Sequence, residues 1–318
     1  MFDSVSPLFG GVEPPTGGNI RDMASILVAT DRGLYDIAGD DQPAFADRKV
    51  TFLAPGPEGM RAILGGNEIW AADGGWHRVA TSARLVLNCL AFTDRWLVGT
   101  SEAHLLHLTD GGGLVPIEQF DEAKGRDDWF TPWGGPPDTR SMSEWDDDVY
   151  VNVHVGGIVR TDDGGDTWMP TIDIEADVHQ VTTAEGMVLA ATAGGLAVSA
   201  DRGGTWNHRT DGLVHHYARA VTVIGDTVLL STSRGPRGGD AVVYRAGLDD
   251  GEFERCTAGL PASFDGNIDS HCLDAPPGGP AVCFGTADGQ VFRSSDEGAT
   301  WQQLADGLPP VRRVLVLP

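Results

Sequence analysis

Lys49, Arg140, His179, Arg219, His271 and Arg313, together with Asn88, each stand near the start of a short apolar run in this 318-residue chain. Acidic residues outnumber Lys plus Arg 46 to 22, so composition alone does not favour cations at a repeated position. The runs share a form in which a polar first residue leads an apolar stretch: Asn88-Cys-Leu-Ala, His179-Gln-Val-Thr, Arg219-Ala-Val-Thr and His271-Cys-Leu-Asp. Two residues upstream of the seven stand Asp47, Val86, Asp138, Asp177, Tyr217, Asp269 and Val311. In a strand, residues two apart share a face, so the pattern predicts adjoining tiers of cation and carboxylate.

Those residue types suit three chemistries. Arginine presents a planar fork that grips carboxylate, phosphate or sulfate through two parallel bonds, which makes Arg140, Arg219 and Arg313, with Lys49 and Asn88, candidate anion ligands. Histidine titrates near pH 6.5, so His179 and His271 are candidate general acids or bases, with Tyr217, Asp177 and Asp269 as their catalytic neighbours. His179 and His271 with Asp177 or Asp269 also form a donor set suited to a divalent metal such as Zn, Mn or Fe, although no His-x-x-x-His places two ligands on one element. His154 and Thr192 fall at neighbouring strand ends, and His154 joins the ligand-binding candidates. Trp129 and Trp133, in a Gly- and Pro-rich stretch, are candidates to cover the pocket. A ring of Asp-x-Lys, Asp-x-Arg and Asp-x-His salt bridges around a water-filled channel is the purely structural alternative.

Bringing these positions together requires a ring of strands, and the chain carries a repeat that builds one. Thr161–Trp168, Ser199–Trp206 and Ser294–Trp301 each read Ser/Thr-x-Asp-x-Gly-x-Thr-Trp. Trp168 and Trp206 are 38 residues apart and Trp206 and Trp301 are 95 apart, which fits one and two units of a propeller blade repeat. The Asp gathers backbone N–H groups, the Gly accepts positive φ and the Trp lies across the hairpin, so these aspartates are turn locks and not catalysts. Cutting the chain into four-strand units predicts an all-β, seven-bladed β-propeller occupying residues 1–318 as one domain. The blades fall at 49–81, 84–121, 138–173, 177–211, 217–257 and 267–308, with a seventh made from 25–48 plus 311–318. Pairing the C-terminal strand into the first blade closes the ring and removes sheet edges. Six blades is the alternative, because residues 38–81 lack a full copy of the motif.

The motif is that of the Asp-box, or bacterial neuraminidase repeat, and over its whole length the chain resembles Asp-box propellers. These include sialidases and photosystem II stability/assembly factors. The resemblance implies the fold far more than an activity. Sialidases carry a Phe/Tyr-Arg-Ile-Pro segment and a Tyr nucleophile activated by Glu. That segment is missing here, and for Tyr217 only Glu144 or an Asp is available as a partner, so sialidase activity is not expected. Resemblance to the assembly factors implies instead a non-catalytic scaffold docking a protein partner.

Two insertions, Asp121–Pro137 and Ser233–Asp240, are predicted on the face where D-to-A and B-to-C connections emerge, which marks that face as the site. The net charge of −24 argues against nucleic-acid and anionic-membrane partners, both of which need a cationic face. No segment has the length or apolarity of a signal peptide or a membrane span, so the expected location is cytoplasmic. Cys89, Cys256, Cys272 and Cys283 lack Cys-x-x-Cys spacing and are expected to be reduced core residues. The functional expectation is a small anionic ligand, a carboxylate, acidic sugar or phosphate, bound in a cationic and histidine-lined funnel. A hydrolase or lyase step is the enzymatic form of that expectation.

Overall fold

The computed structural model describes residues 25–39, 42–132, 134–279 and 281–317. Among them the apolar runs form antiparallel strands gathered into seven sheets, six of four strands and one of three. The inner strands are Val50–Gly56, Leu87–Phe92, Thr139–Trp145, Val178–Ala184, Tyr217–Ile224, Leu273–Asp274 and Val311–Val316. Each packs against the next, and the last returns to the first, which makes the molecule a seven-bladed β-propeller. The six-blade division fails because residues 50–81 form a complete four-stranded blade without the turn motif.

Closure follows the expected route. Val311–Val316 pairs antiparallel with Ile26–Thr30, placing Val28 opposite Val314 and Leu27 opposite Leu315. Stacking blade against blade buries both faces of many strands, so Ile26–Thr30 and Asp148–Val153 are buried throughout, and the first reads as a nearly continuous apolar run without alternation. Close approach is built in at Gly99, where a Cβ would lie 2.5 Å from Cys89 Sγ and 2.6 Å from Thr139 Cγ2 of the next blade. All four cysteines are buried and free, and burial pushes the Cys89, Cys272 and Cys283 thiols up to about 12.

The three Asp-Gly-Thr-Trp turns share one geometry. Asp163, Asp201 and Asp296 each accept the backbone N–H of the Thr four residues on, at 2.9, 2.8 and 2.8 Å, and that residue's hydroxyl at 2.6, 2.8 and 2.7 Å. Gly165, Gly203 and Gly298 have φ of 97°, 87° and 80°, a region that an L side chain rarely adopts. The indole N–H groups of Trp168 and Trp301 donate within their own turns, whereas Trp206 reaches Thr171 O in the preceding blade at 2.7 Å. Among the described residues, no helix is long and apolar enough to cross a membrane.

Candidate functional site

One irregularity recurs in the inner strands and aims the site. Pairing of inner strand with second strand skips one residue between Val50 and Phe52, Leu87 and Cys89, Thr139 and Ser141, Val178 and Gln180, Ala218 and Ala220, and Val311 and Arg313. The residues left over are Thr51, Asn88, Arg140, His179, Arg219 and Arg312. A β-bulge of this kind opposes two residues to one and turns the extra side chain away from the face it would otherwise share. Five of the seven inner strands therefore offer their extra side chain to the mouth of the ring, Ser270 and His271 stand there for a sixth, and His179, the extra residue of the remaining strand, is buried beside it.

These bulges surround a cavity of about 340 Å³ lined by Thr51, Asn88, Arg140, Arg219, His271 and Arg312, with Phe52, Asp138, Asp269, Ser270 and Val311 completing the wall. Arg219 donates from Nε and Nη2 to Asp269 Oδ1 at 2.8 and 2.5 Å, and its Nη1 lies 3.4 Å from Tyr217 Oη. Burial works against the Asp269 carboxylate, but Arg219 and the Ser270 N–H outweigh it and hold its pKa below the ordinary value. Arg312 is held outward by Asp31 through bonds of 2.7 and 2.5 Å. Arg140 is paired more loosely, with Asp138 Oδ2 3.9 Å from Nη2. Its burial and the nearby Arg219 guanidinium lower its pKa, the mark of a cation short of negative partners. Asn88 Nδ2 is buried with no hydrogen-bond partner.

Beside the cavity lies a second cluster. His154, on the turn after Asp148–Val153, places Nε2 3.1 Å from Asp177 Oδ1. Asp177 enters the next blade in the left-handed region, φ 47°, and its Oδ2 lies 3.7 Å from Nε2 of His179. The His179 ring is fully buried, donates from Nδ1 to Ala218 O at 2.6 Å and packs against Tyr217 with centroids 4.6 Å apart. Burial, then the Arg219 guanidinium, pushes His179 down to about 4, and burial, then Arg313, pushes His271 down to about 3. Both imidazoles are thus neutral at pH 7, well away from the ordinary value near 6.5 that suggested proton transfer. His271 is also engaged: Nε2 donates to Arg140 O at 3.2 Å, and its ring edge meets Phe52 at 4.9 Å.

The sequence-derived set therefore divides. Asn88, Arg140, Arg219, Asp269 and His271 meet around the cavity. His154, Asp177, His179 and Tyr217 meet beside it. The four-residue metal set does not assemble: His179 and Asp177 join His154, while Asp269 is bonded to Arg219 and His271 to a backbone carbonyl. Lys49 stands outside the cavity wall and pairs with Asp31 at 3.3 Å, because the bulge in its strand falls two residues later at Thr51. Arg313 is one residue past its bulge and turns behind the wall, its guanidinium 4.2 Å from the Phe52 ring centroid, so Arg312 takes the mouth position. Trp129 packs beneath its loop against Phe120 and Arg126 and does not cover the cavity. Trp133 lies outside the described residues. Thr51, Asp138, Ser270 and Arg312 are the polar wall residues left out of that set, and the Arg312-Arg313 doublet offered no way to choose between its members without the bulge.

The Asp121–Pro137 insertion leads into the inner strand Thr139–Trp145 that carries Arg140, and Ser233–Asp240 joins Thr227–Ser233 to Val242–Gly247. The Ser233–Asp240 loop closes on itself through an ion pair of 2.5 Å between Arg234 and Asp240. A larger hollow of about 610 Å³ lies on the opposite rim, walled by Asp94, Glu144, Asp147, Asp162 and Asp166. Burial and the neighbouring Asp94 and Asp147 raise the Glu144 pKa there.

No family model matches this chain, and no curated protein sequence does. Solved structures match throughout the ring. The chain is similar to YCF48 bound to a D1 peptide, at 16% identity and TM-score 0.55, over 80% of this chain and 81% of that one. It is similar to the WD40 propeller domain of Doa1, at 14% identity and TM-score 0.58, over 93% and 86%. It is also similar to the GH74 xyloglucanase from Xanthomonas campestris, at 14% identity and TM-score 0.58, covering 88% of this chain and 46% of that one. At such identities the likeness establishes the propeller fold alone.

Proposed function

We propose that the protein binds a small carboxylate- or phosphate-bearing ligand in the funnel. Arg140 is the principal contact in this reading, Asn88 Nδ2 and Arg312 stand beside it, and Asp269 holds Arg219 in place. The observation that carries the reading is the Arg140 guanidinium. It is about one quarter exposed to the cavity, lies 3.9 Å from its nearest carboxylate, and sits beside a second guanidinium in a protein of net charge −24. An anion between the two arginines relieves their repulsion and satisfies their outward N–H groups. Binding is better supported than turnover, because His271 is committed to a carbonyl and His179 is covered by Tyr217. The three Ser/Thr-x-Asp-x-Gly-x-Thr-Trp turns support grouping the chain with the Asp-box propellers.

A second reading has its own observation. Val86, Phe130 and Val214 are 53%, 41% and 73% exposed, and all three lie on connections at the funnel face. An apolar rim around a cationic mouth suits a peptide that presents a carboxylate, and YCF48, a propeller of similar fold, has been solved with a peptide bound. Thermal unfolding with a panel of dicarboxylates, acidic sugars and sugar phosphates tests the first reading, since a ligand that binds only the folded state raises the midpoint. The expected result is a saturable rise with at least one anion that is lost in Arg140→Ala. A flat panel would transfer the proposal to the peptide reading.

A further inference from the structure

His154, Asp177 and His179 come from adjoining blades, and nothing in the anion reading uses them. Their ligand atoms lie within 4.8 Å of one another, with Asp177 Oδ1 3.1 Å from His154 Nε2 and Oδ2 3.7 Å from His179 Nε2. Four ligands held tetrahedrally at zinc–nitrogen and zinc–oxygen bond lengths stand about 3.4 Å apart, and the two observed spacings bracket that value.

The hydrogen-bond inventory at His179 supplies a second observation. Ala218 O can only accept, so Nδ1 carries the hydrogen of its 2.6 Å bond, and a neutral ring then leaves a bare lone pair on Nε2. That nitrogen is buried, has no hydrogen-bond partner, and faces a carboxylate oxygen, which is another acceptor. Two acceptors aimed at each other across 3.7 Å are favourable when a cation lies between them. The Nδ1 bond to a carbonyl also fixes the tautomer and orients Nε2, which is the outer support that metal-binding histidines commonly have.

We propose that His154 Nε2, Asp177 and His179 Nε2 bind one divalent transition-metal ion of the zinc class. Two imidazoles and one carboxylate give a borderline-soft donor set that favours zinc, iron or manganese over calcium or magnesium. Asp177 is the one partly open member, 31% exposed against 4% and 0% for the two histidine side chains, so the ion enters past its carboxylate. Three protein ligands leave a coordination position for water or ligand, the arrangement of an open site and not of a closed structural one. Tyr217 stands between this cluster and the funnel, its ring on His179 and its hydroxyl near Arg219, so the metal proposal does not depend on the anion proposal.

Titration of chelator-stripped full-length protein with zinc alone, followed by calorimetry and by metal content after gel filtration, tests the site. The expected result is one zinc per chain, with affinity reduced at least about 100-fold in Asp177→Asn and in His154→Gln. Lys49→Ala, outside both the cluster and the cavity wall, is expected to bind zinc as the parent does. Asp177→Asn keeps the shape of a half-exposed side chain, so it reports on binding even if the buried His154→Gln variant fails to fold. Cobalt substitution adds a readout independent of both variants, since a low-coordinate site gives intense visible bands. Absence of stoichiometric zinc, or zinc binding unchanged in Asp177→Asn, would overturn the proposal.

Discussion

Asp296, on the outer rim, and Asp269, at the funnel, are both aspartates in turns, and their partners differ in origin. Asp296 is satisfied from within its own loop by the Ser294 hydroxyl and by the N–H and hydroxyl of Thr300. Asp269 draws its main partner, Arg219, from the inner strand of another blade, and Asp177 does the same with His154. A carboxylate satisfied locally needs nothing further and serves the turn. Charges that meet only when blades assemble can be left incompletely matched, as Arg140 is, and an incompletely matched group can recognise a ligand.

Perturbing the rim and the mouth separately sharpens this contrast. The largest effect is expected at Trp301, which is 5% exposed and packs edge-on against Phe284 at 4.9 Å. Trp301→Ala should cost about 3–5 kcal/mol in denaturant unfolding while leaving funnel binding intact below the new midpoint. Loss of anion affinity in the folded variant would break the separation of rim from mouth. Arg140→Ala should do the reverse, weakening anion binding by about 10–100-fold, the worth of a charge-assisted contact, with little change in stability. Asp296→Ala removes a capping carboxylate and should cost about 1 kcal/mol, read as a small drop in thermal midpoint.

Acid titration separates the two regions by pH. His271, with its folded pKa pushed to about 3, must be neutral to stay buried, so the unfolded chain takes up its proton first. Its contribution is complete above an unfolded value near 6.5 and is lost as pH falls from there toward 3. Asp163 and Asp296, lowered to about 2 by the Thr hydroxyl and N–H they accept, hold their contribution above about 3.8 and lose it toward 2. His271→Gln should therefore flatten the stability profile in the upper window and leave the lower one, as measured by unfolding across pH. The smallest effect is expected from Lys49→Ala, whose pairing with Asp31 is solvent-exposed and worth under about 1 kcal/mol.

The rim was the more legible region because its contacts are local. Its contacts span four residues, so Asp163, Thr167 and Trp168 announce the turn by spacing alone. The seven blades and their closure by Val311–Val316 also follow from the periodic apolar runs. The mouth was legible where a polar residue led an isolated apolar run, as at Asn88, Arg140 and Arg219. At Lys49 and Arg313 the residue offered to the cavity is set by where the bulge falls, a backbone feature one or two residues wide that exchanges the strand's faces. The partnership of His154 with Asp177 and His179 was hidden for another reason. It joins a turn of one blade to the first strand of the next, and no local spacing records the distance between blades.

The most direct test of the funnel is calorimetric titration of one anion, the best of the panel, into the parent protein and into Arg140→Ala, Asn88→Ala and Lys49→Ala. Single-site binding that weakens at least about tenfold in the first variant, less in the second and not at all in the third is the result expected from a cavity walled by the bulged residues. Equal affinity for parent and Arg140→Ala, or a loss in Lys49→Ala as large as that in Arg140→Ala, would contradict it.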